Sequence, residues 1–299
     1  MPDPHRFGVV ALTGPANAGK STLLNGIIGR KIAIMSRRPQ TTRHRILGIK
    51  TLANAQLVFV DTPGLHRDQP HRLNRAINRT ALNSLSEADL VIFMIDFRGW
   101  TAELEKLFAR VAHKNTPVIL IINKIDRLRD RKRLLPIIEQ STRIHPFREI
   151  IPFSARKLTG LDKLLEVIVA ALPEGPPGFP ADQYTDRSER FFASELVREQ
   201  TFRLLSRELP YACAVEVTQF HYTDDRLLNA EVIIWVEKAS QKSIVIGHGG
   251  RQLKAIGERA RKQMEKAFAV RVHLDLWVKV RKNWADNATL LRLLGYLED

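Results

Sequence analysis

Asn123-Lys124-Ile125-Asp126 closes the apolar run Val118-Ile119-Leu120-Ile121-Ile122 and carries the most specific chemistry in the chain. An ionised Asp126 can accept two parallel hydrogen bonds, from the ring N1–H and the exocyclic amine of guanine, a charge-assisted bidentate pairing. Adenine has no N1 proton and would leave that carboxylate unpaired, which is how a site discriminates strongly. The Lys124 stem can cover the base plane, and Asn123 can tie this loop to a phosphate-binding one. Phe153-Ser154-Ala155, after Ile150-Ile151, stands where a backbone clamp on the base is needed.

Gly14-Pro15-Ala16-Asn17-Ala18-Gly19-Lys20-Ser21 fits the pattern G-x-x-x-x-G-K-S, between the apolar run Val9–Thr13 and the helix-like Thr22-Leu23-Leu24-Asn25. Strand, glycine-rich loop and helix are the context in which this pattern holds phosphates, because backbone N–H groups and a helix N-terminus converge there. Lys20 is expected on the outer phosphates and Ser21 on Mg²⁺. Leu57–Val60 reads as a strand closed by Asp61-Thr62-Pro63-Gly64. Asp61 is in this reading a Mg²⁺ carboxylate, acting directly or through a bound water, and the Gly64 N–H can meet the terminal phosphate. Pro39-Gln40-Thr41-Thr42-Arg43 lies between the two phosphate motifs, and one threonine hydroxyl should complete the Mg²⁺ shell. Thr42 is favoured over Thr41.

Those motifs need a frame. Apolar strand-like runs alternate with amphipathic segments: Leu90–Ile95, Leu104–Ala112, Val118–Ile122, Leu134–Ile138. Such alternation predicts an α/β domain with a mostly parallel sheet and helices on both faces. Ligands in such sheets bind at the carboxyl ends of the strands, where these motifs fall. Four prolines and two glycines between Leu172 and Pro180 forbid a helix or central strand and predict a semi-stiff linker over residues 173–186. The domains are then 1–172 and 187–299.

The second domain reads helix, strand, strand, helix, helix, strand. Arg190–Leu209 is amphipathic, Tyr211–Phe220 and Asn229–Glu237 alternate, and Val270–Val280 alternates again. Between them lies Gly247-His248-Gly249-Gly250, flanked by Ile246 and Ile256, with Arg251 and Lys254 on the following turn. Helix, Gly-x-x-Gly, helix is the single-strand clamp of a KH domain, here with the α+β order of type II. The inner pair is His248-Gly249, whereas such loops usually hold a Lys or Arg, so Arg251 and Lys254 should carry more of the phosphate attraction. Trp235 and Trp277 could stack on bases, but in alternating strands they read first as core residues; Trp284, past the last strand, is a candidate for RNA or interdomain contact.

The five nucleotide motifs, in this order, resemble the G domain of the translation-factor GTPase superfamily. Asn17 in its loop, Gln40-Thr41-Thr42-Arg43-His44-Arg45 and Asp61-Thr62-Pro63-Gly64-Leu65 resemble bacterial Era GTPases in particular, the TrmE–Era–EngA type with a C-terminal type II KH domain. The resemblance covers nearly the whole chain. It implies a GTP-hydrolysing, GTP/GDP- and Mg²⁺-binding factor that binds the 3′ end of 16S rRNA. It further implies action in 30S subunit assembly and rRNA 3′-end processing. It also implies a monomer in the cytoplasm, with some peripheral contact at the cytoplasmic face of the cell membrane.

Catalysis would rest on Lys20, Thr42, Asn17 and Gly64. Leu65 stands where Ras-type GTPases place a water-orienting glutamine, so intrinsic turnover should be slow. In related GTPases an Asn at the Asn17 position coordinates K⁺, which implies K⁺ stimulation here. The other reading of the chain is a GTPase whose basic C-terminal domain docks on protein or anionic membrane rather than RNA.

The chain has 299 residues and a net charge of +15. Residues 1–175 hold 28 Lys and Arg against 15 Asp and Glu, and residues 176–299 hold 19 against 17. The local excess within 238–282, 12 against 3, restores a basic stretch beside the Gly-x-x-Gly loop. Such charge favours a polyanion partner. A single cysteine, Cys213, excludes an intramolecular disulfide and reads as a core residue. The N-terminus shows no apolar signal core, and no run is long enough to span a bilayer.

Overall fold

The structure is a computed structural model that describes residues 4–36, 38, 41–61, 71–112 and 116–297. It divides into two compact units. The first holds most of the chain to Asp186; the second holds Arg187–Asp299 with two short N-terminal stretches, Ile34–Thr41 and Asp68–Ala76.

The first unit runs β1 (Arg6–Thr13), α1 (Lys20–Ile28), β2 (Ile46–Thr51), β3 (Ala55–Asp61), α2 (Arg72–Ser86), β4 (Leu90–Asp96), α3 (Ala102–Ala109), β5 (Val118–Asn123), α4 (Leu134–Ile144), β6 (Glu149–Pro152) and α5 (Leu161–Ala171). Its sheet order is β2-β3-β1-β4-β5-β6. All neighbours are parallel except β2 against β3, where the two strands form an antiparallel pair. Leu90 to Ile95 are each at most 1% exposed, so both faces of β4 are covered. That explains the unbroken apolar run, since a central parallel strand has no solvent face. On one face Val91, Phe93 and Ile95 pack with Leu104 and Phe108 of α3 and Leu134 of α4.

Residues 173–186, expected as a linker, are instead bonded along the first unit. Gly175 N donates to His5 O, Ile49 N donates to Tyr184 O, and Thr185 Oγ1 donates to Leu47 O. The fully buried Gln56 fixes the middle of the segment. Its Oε1 accepts from Gly178 N and Phe179 N, both at 2.9 Å, and its Nε2 donates to Phe179 O and Thr51 Oγ1. Proline removes helix as an option there, and one buried amide then converts the segment into a strap.

The second unit continues with α6 (Glu189–Leu204), β7 (Ala214–Asp224), β8 (Leu227–Val236), α7 (Ala239–Ile246), α8 (Arg251–Phe268), β9 (Arg271–Val280) and α9 (Ala288–Leu293). β7 and β8 are antiparallel, and β8 and β9 are parallel. The core joins Leu196 and Val197 of α6, Val232 and Ile234 of β8, Ile256 and Met264 of α8, Val278 of β9, and Cys213. α6 departs from simple amphipathicity, for Glu195, Arg198, Glu199, Gln200 and Thr201 are all buried. Arg198 is neutralised by two bonds to Glu195, at 2.6 and 2.7 Å.

Two tryptophans overturn their sequence readings. Trp284 is 1% exposed and donates Nε1–H to Ala212 O at 2.9 Å, so it is a core residue and no RNA contact. Trp277 is 54% exposed, because β9 turns Val272 and Val278 inward and Trp277 has the opposite parity. Trp235 is half-buried, its indole N–H bonded to Glu216.

Candidate nucleotide site and KH loop

The parallel strands bring their carboxyl ends to one edge, and each nucleotide motif begins there. Gly14 follows β1, Asp61 ends β3, Asn123 ends β5, and Ser154 follows β6. The loop Gly14, Pro15, Ala16, Asn17, Ala18, Gly19 runs into Lys20, the first residue of α1. Gly19, at φ 112°, caps that helix without a side chain, leaving its positive end to an anion. Ser21 and Thr22 form the first turn.

Lys20 is buried and donates Nζ–H to Gly14 O at 2.9 Å and Pro15 O at 3.0 Å. Burial lowers its pKa, opposed by the field of Asp61. Asp61 is fully buried, and burial raises its carboxyl above the usual range against the pull of Lys20, Ser21 and Thr42. Ser21 Oγ donates to Asp61 Oδ2 at 2.8 Å and Thr42 Oγ1 does so at 3.3 Å, while the two hydroxyls stand 3.1 Å apart. Asp61 Oδ1 has no hydrogen-bond partner among the described residues. A buried carboxylate oxygen without a donor, beside two hydroxyls, is an oxygen set suited to Mg²⁺. The residues present therefore fit the metal.

Geometry separates the two threonines. Thr41 is buried with its Oγ1 donating to Arg38 O at 2.9 Å and 2.7 Å from Ser36 Oγ, while its carbonyl accepts from Arg198. Its hydroxyl belongs to that local turn, and Thr42 supplies the oxygen to the Asp61 cluster. Asn17 is exposed at φ 61°, a conformation Asn tolerates better than most residues. Its residue type therefore serves the loop geometry as well. Gln40, Thr62, Pro63, Gly64 and Leu65 lie outside the described residues.

At the base end Asn123, 2% exposed, donates Nδ2–H to Ala18 O at 2.7 Å and accepts from Ala155 N at 2.9 Å. One side chain thus fixes the phosphate loop to both base loops. Asp126 accepts from Ser154 Oγ at 2.7 Å, and that bond above all holds its carboxyl below the ordinary range. Lys124 adopts φ 64°, and its Nζ lies 3.5 Å from Asp96 Oδ2. The sequence reading missed Asp96. Burial pushes its carboxyl up, but bonds from Arg98 and the charges of Arg98 and Lys124 outweigh that and leave it lowered. It ends β4 in register with Asn123, a pairing that no local pattern in the sequence shows.

In the second unit Gly247, Gly249 and Gly250 have φ of 73°, 58° and 77°. The left-handed pair Gly249-Gly250 turns the chain from α7 into α8, whose N-terminus Gly250 leaves uncapped by any side chain. His248 and Gly249 are exposed, as are Arg251 and Lys254. Arg251 Nε donates back to His248 O at 3.3 Å. Loop, helix terminus and cations form one surface suited to a phosphate backbone.

Fold and site together define a guanine-nucleotide-binding P-loop GTPase joined to a KH domain. A family model described as a 50S ribosome-binding GTPase matches residues 9–124, and a KH-domain model matches 208–285. The chain is 49% identical to GTPase Era of Xylella fastidiosa over 98% of both chains, and 48% identical to that of Pseudomonas aeruginosa over 99% and 97%. It belongs to the Era family of GTPases. Among solved structures it resembles Era in complex with MgGDPNP and nucleotides 1506–1542 of 16S ribosomal RNA, at TM-score 0.93 and 40% identity over 98% and 99% of the chains. A variant of Aquifex aeolicus Era bound to GDP·AlF4⁻ gives the same TM-score and identity over 97% and 99%.

Proposed function

We propose that this GTPase hydrolyses GTP to GDP and phosphate and binds single-stranded RNA at the 3′ end of 16S rRNA. It would act in 30S subunit assembly and rRNA 3′-end processing. The observation that carries the reading is one chain holding both the Asp126–Ser154 base edge and the left-handed Gly249-Gly250 turn of a KH loop. The relative solved with Mg²⁺, a GTP analogue and a 16S rRNA fragment supports it.

Asp126 accepts the two guanine donors, and its depressed pKa keeps it ionised for that task. Asn123 holds the base loops and the phosphate loop in one register. Lys20 keeps a third ammonium proton for a phosphate oxygen, after two bonds to loop carbonyls. Ser21, Thr42 and Asp61 would hold Mg²⁺, which when bound offsets charge that develops on the outer phosphates. Leu65 has no polar atom with which to orient water, so intrinsic turnover is slow. Asn17 is the residue through which K⁺ would act; equal hydrolysis in KCl and NaCl would remove K⁺ from the mechanism.

The decisive experiment is filter binding of single-stranded rRNA fragments, with and without a nonhydrolysable GTP analogue. Tight binding that is lost in Gly249→Asp and Gly250→Asp is expected. Binding to anionic liposomes alone would replace the RNA reading with membrane docking. We further propose a cytoplasmic monomer with peripheral contact at the cell membrane, tested by sizing and fractionation. No helix among the described residues is long and apolar enough to cross a membrane.

A further inference from the structure

We propose that Arg127, Arg129, Arg131, Lys132, Arg133 and Lys157 form a second RNA-binding face, on the GTPase unit, that takes the phosphodiester backbone. The inference rests on the RNA-binding reading above and extends it from the KH loop to residues of the GTPase unit.

Residues 127–133 hold five cations and one acid. The acid is engaged locally, for Asp130 Oδ1 accepts from Lys132 N at 2.9 Å. All six named cations are exposed. Arg98 and Arg143, also exposed in this unit, pair with Asp96 and Glu139. Among the described residues, none of the six makes an ion pair. Asp126 feels the charges of Arg127 and Lys157. Arg129, Arg131, Lys132 and Arg133 have no carboxylate paired with them among the described residues, and clustered like charges repel unless an outside anion offsets them.

The backbone that carries these cations is ordered. Single 3₁₀ turns at Ile125–Arg127 and Arg131–Arg133 follow β5, and buried Leu134 anchors the second. Lys157 joins from the neighbouring loop, its N–H bonded to Ser154 O at 3.1 Å, while Ser154 bonds Asp126. The face therefore borders the guanine end of the nucleotide site.

Composition selects the partner. Four of the five cations in 127–133 are arginine, whose planar fork matches phosphate oxygens in pairs. A membrane-surface site would also need apolar side chains to enter the lipid, and Leu135 is the large exposed apolar residue adjoining the patch. A phosphodiester chain fits these features better than a bilayer.

The test compares the full chain with the variant R129Q/R131Q/K132Q/R133Q on single-stranded RNAs of about 10 and about 40 nucleotides, across a salt series. Each phosphate contact on a single strand contributes roughly 0.7 to the slope of log affinity against log salt. The variant should lower that slope by about 2 to 3 on the long RNA and weaken its binding about tenfold near 0.15 M salt. It should leave the short RNA, GDP affinity and Tm unchanged. An unchanged slope and affinity on the long RNA overturns the proposal. So does a loss confined to phosphatidylglycerol vesicles, which would make the face a lipid site. If the wild-type chain binds neither RNA, the KH reading falls and this one with it. If the short RNA binds in a Gly249-dependent manner while the long RNA ignores the variant, this inference falls alone.

Discussion

A Cβ on Gly19 would stand 2.1 Å from the amide nitrogen of Asn123. The phosphate loop and the guanine loop, 104 positions apart in sequence, meet with no room for a methyl group. At φ 112° the glycine is also needed for its backbone. Gly19→Ala should therefore cost about 100-fold or more in GDP affinity, through displacement of Asn123 from Ala18 O. Asn123→Ala relieves the clash and loses the tie. The double variant should then be less than additively worse, and strict additivity in a GDP-binding cycle would count against the coupling.

Ser154→Ala tests the base edge through pH. The bond from Ser154 lowers the Asp126 pKa, so the ionised carboxylate is favoured in the folded state. Its contribution is present above the ordinary carboxylate pKa and is lost as pH falls through the depressed one. Removing the hydroxyl should move the acidic loss of GDP affinity to higher pH, and weaken binding about 3- to 10-fold at neutral pH. An unmoved acid limb in a fluorescence titration would show that Ser154 does not set the charge of Asp126. Asp126→Asn should erode selectivity for guanine over adenine nucleotides.

Thr42→Ala and Thr41→Ala should separate cleanly. Thr42 Oγ1 stands with Ser21 and Asp61, so its removal should lower Mg²⁺-dependent hydrolysis by about 10²-fold. Thr41 donates to Arg38 O, and its loss should change turnover less than about tenfold while lowering Tm. The reverse ranking would reassign the metal ligand.

Gln56→Leu should destabilise the first unit by about 2–4 kcal/mol, because it strands the N–H groups of Gly178 and Phe179 that the amide satisfies. Denaturant unfolding checks this. A loss below about 0.5 kcal/mol would mean that the strap contributes little.

His248→Lys adds a cation to an exposed loop beside Arg251. It should tighten single-stranded RNA several-fold at low salt and steepen the salt slope by about 0.7. An unaltered slope would place the phosphates away from that side chain.

Much of the nucleotide site was legible before any coordinates, because its residue types sit in contiguous motifs whose chemistry is local. Gly14 to Ser21 and Asn123 to Asp126 each form one loop, and strand–loop–helix order alone assigns their tasks. Asp96 was not legible, since one acid after an apolar run means nothing until β4 and β5 lie in register. The second domain was readable in element order for the same reason, yet Trp277 and Trp284 were misplaced. Alternation in β9 gives two faces without saying which is buried, and Trp284 lies past the last strand, where no period applies.

The amino-acid order by itself determined the guanine preference, the phosphate loop and the Gly-x-x-Gly turn, for these depend on bonds among near neighbours. Tertiary structure alone decided that Asn123 also takes a bond from Ala155 N, that the Thr41 hydroxyl turns to Arg38 O, and that residues 173–186 form a strap on Gln56. Each joins groups far apart in sequence, or depends on which way a hydroxyl is turned. A buried polar atom takes whichever partner packing brings within 3 Å, and no local pattern encodes that choice.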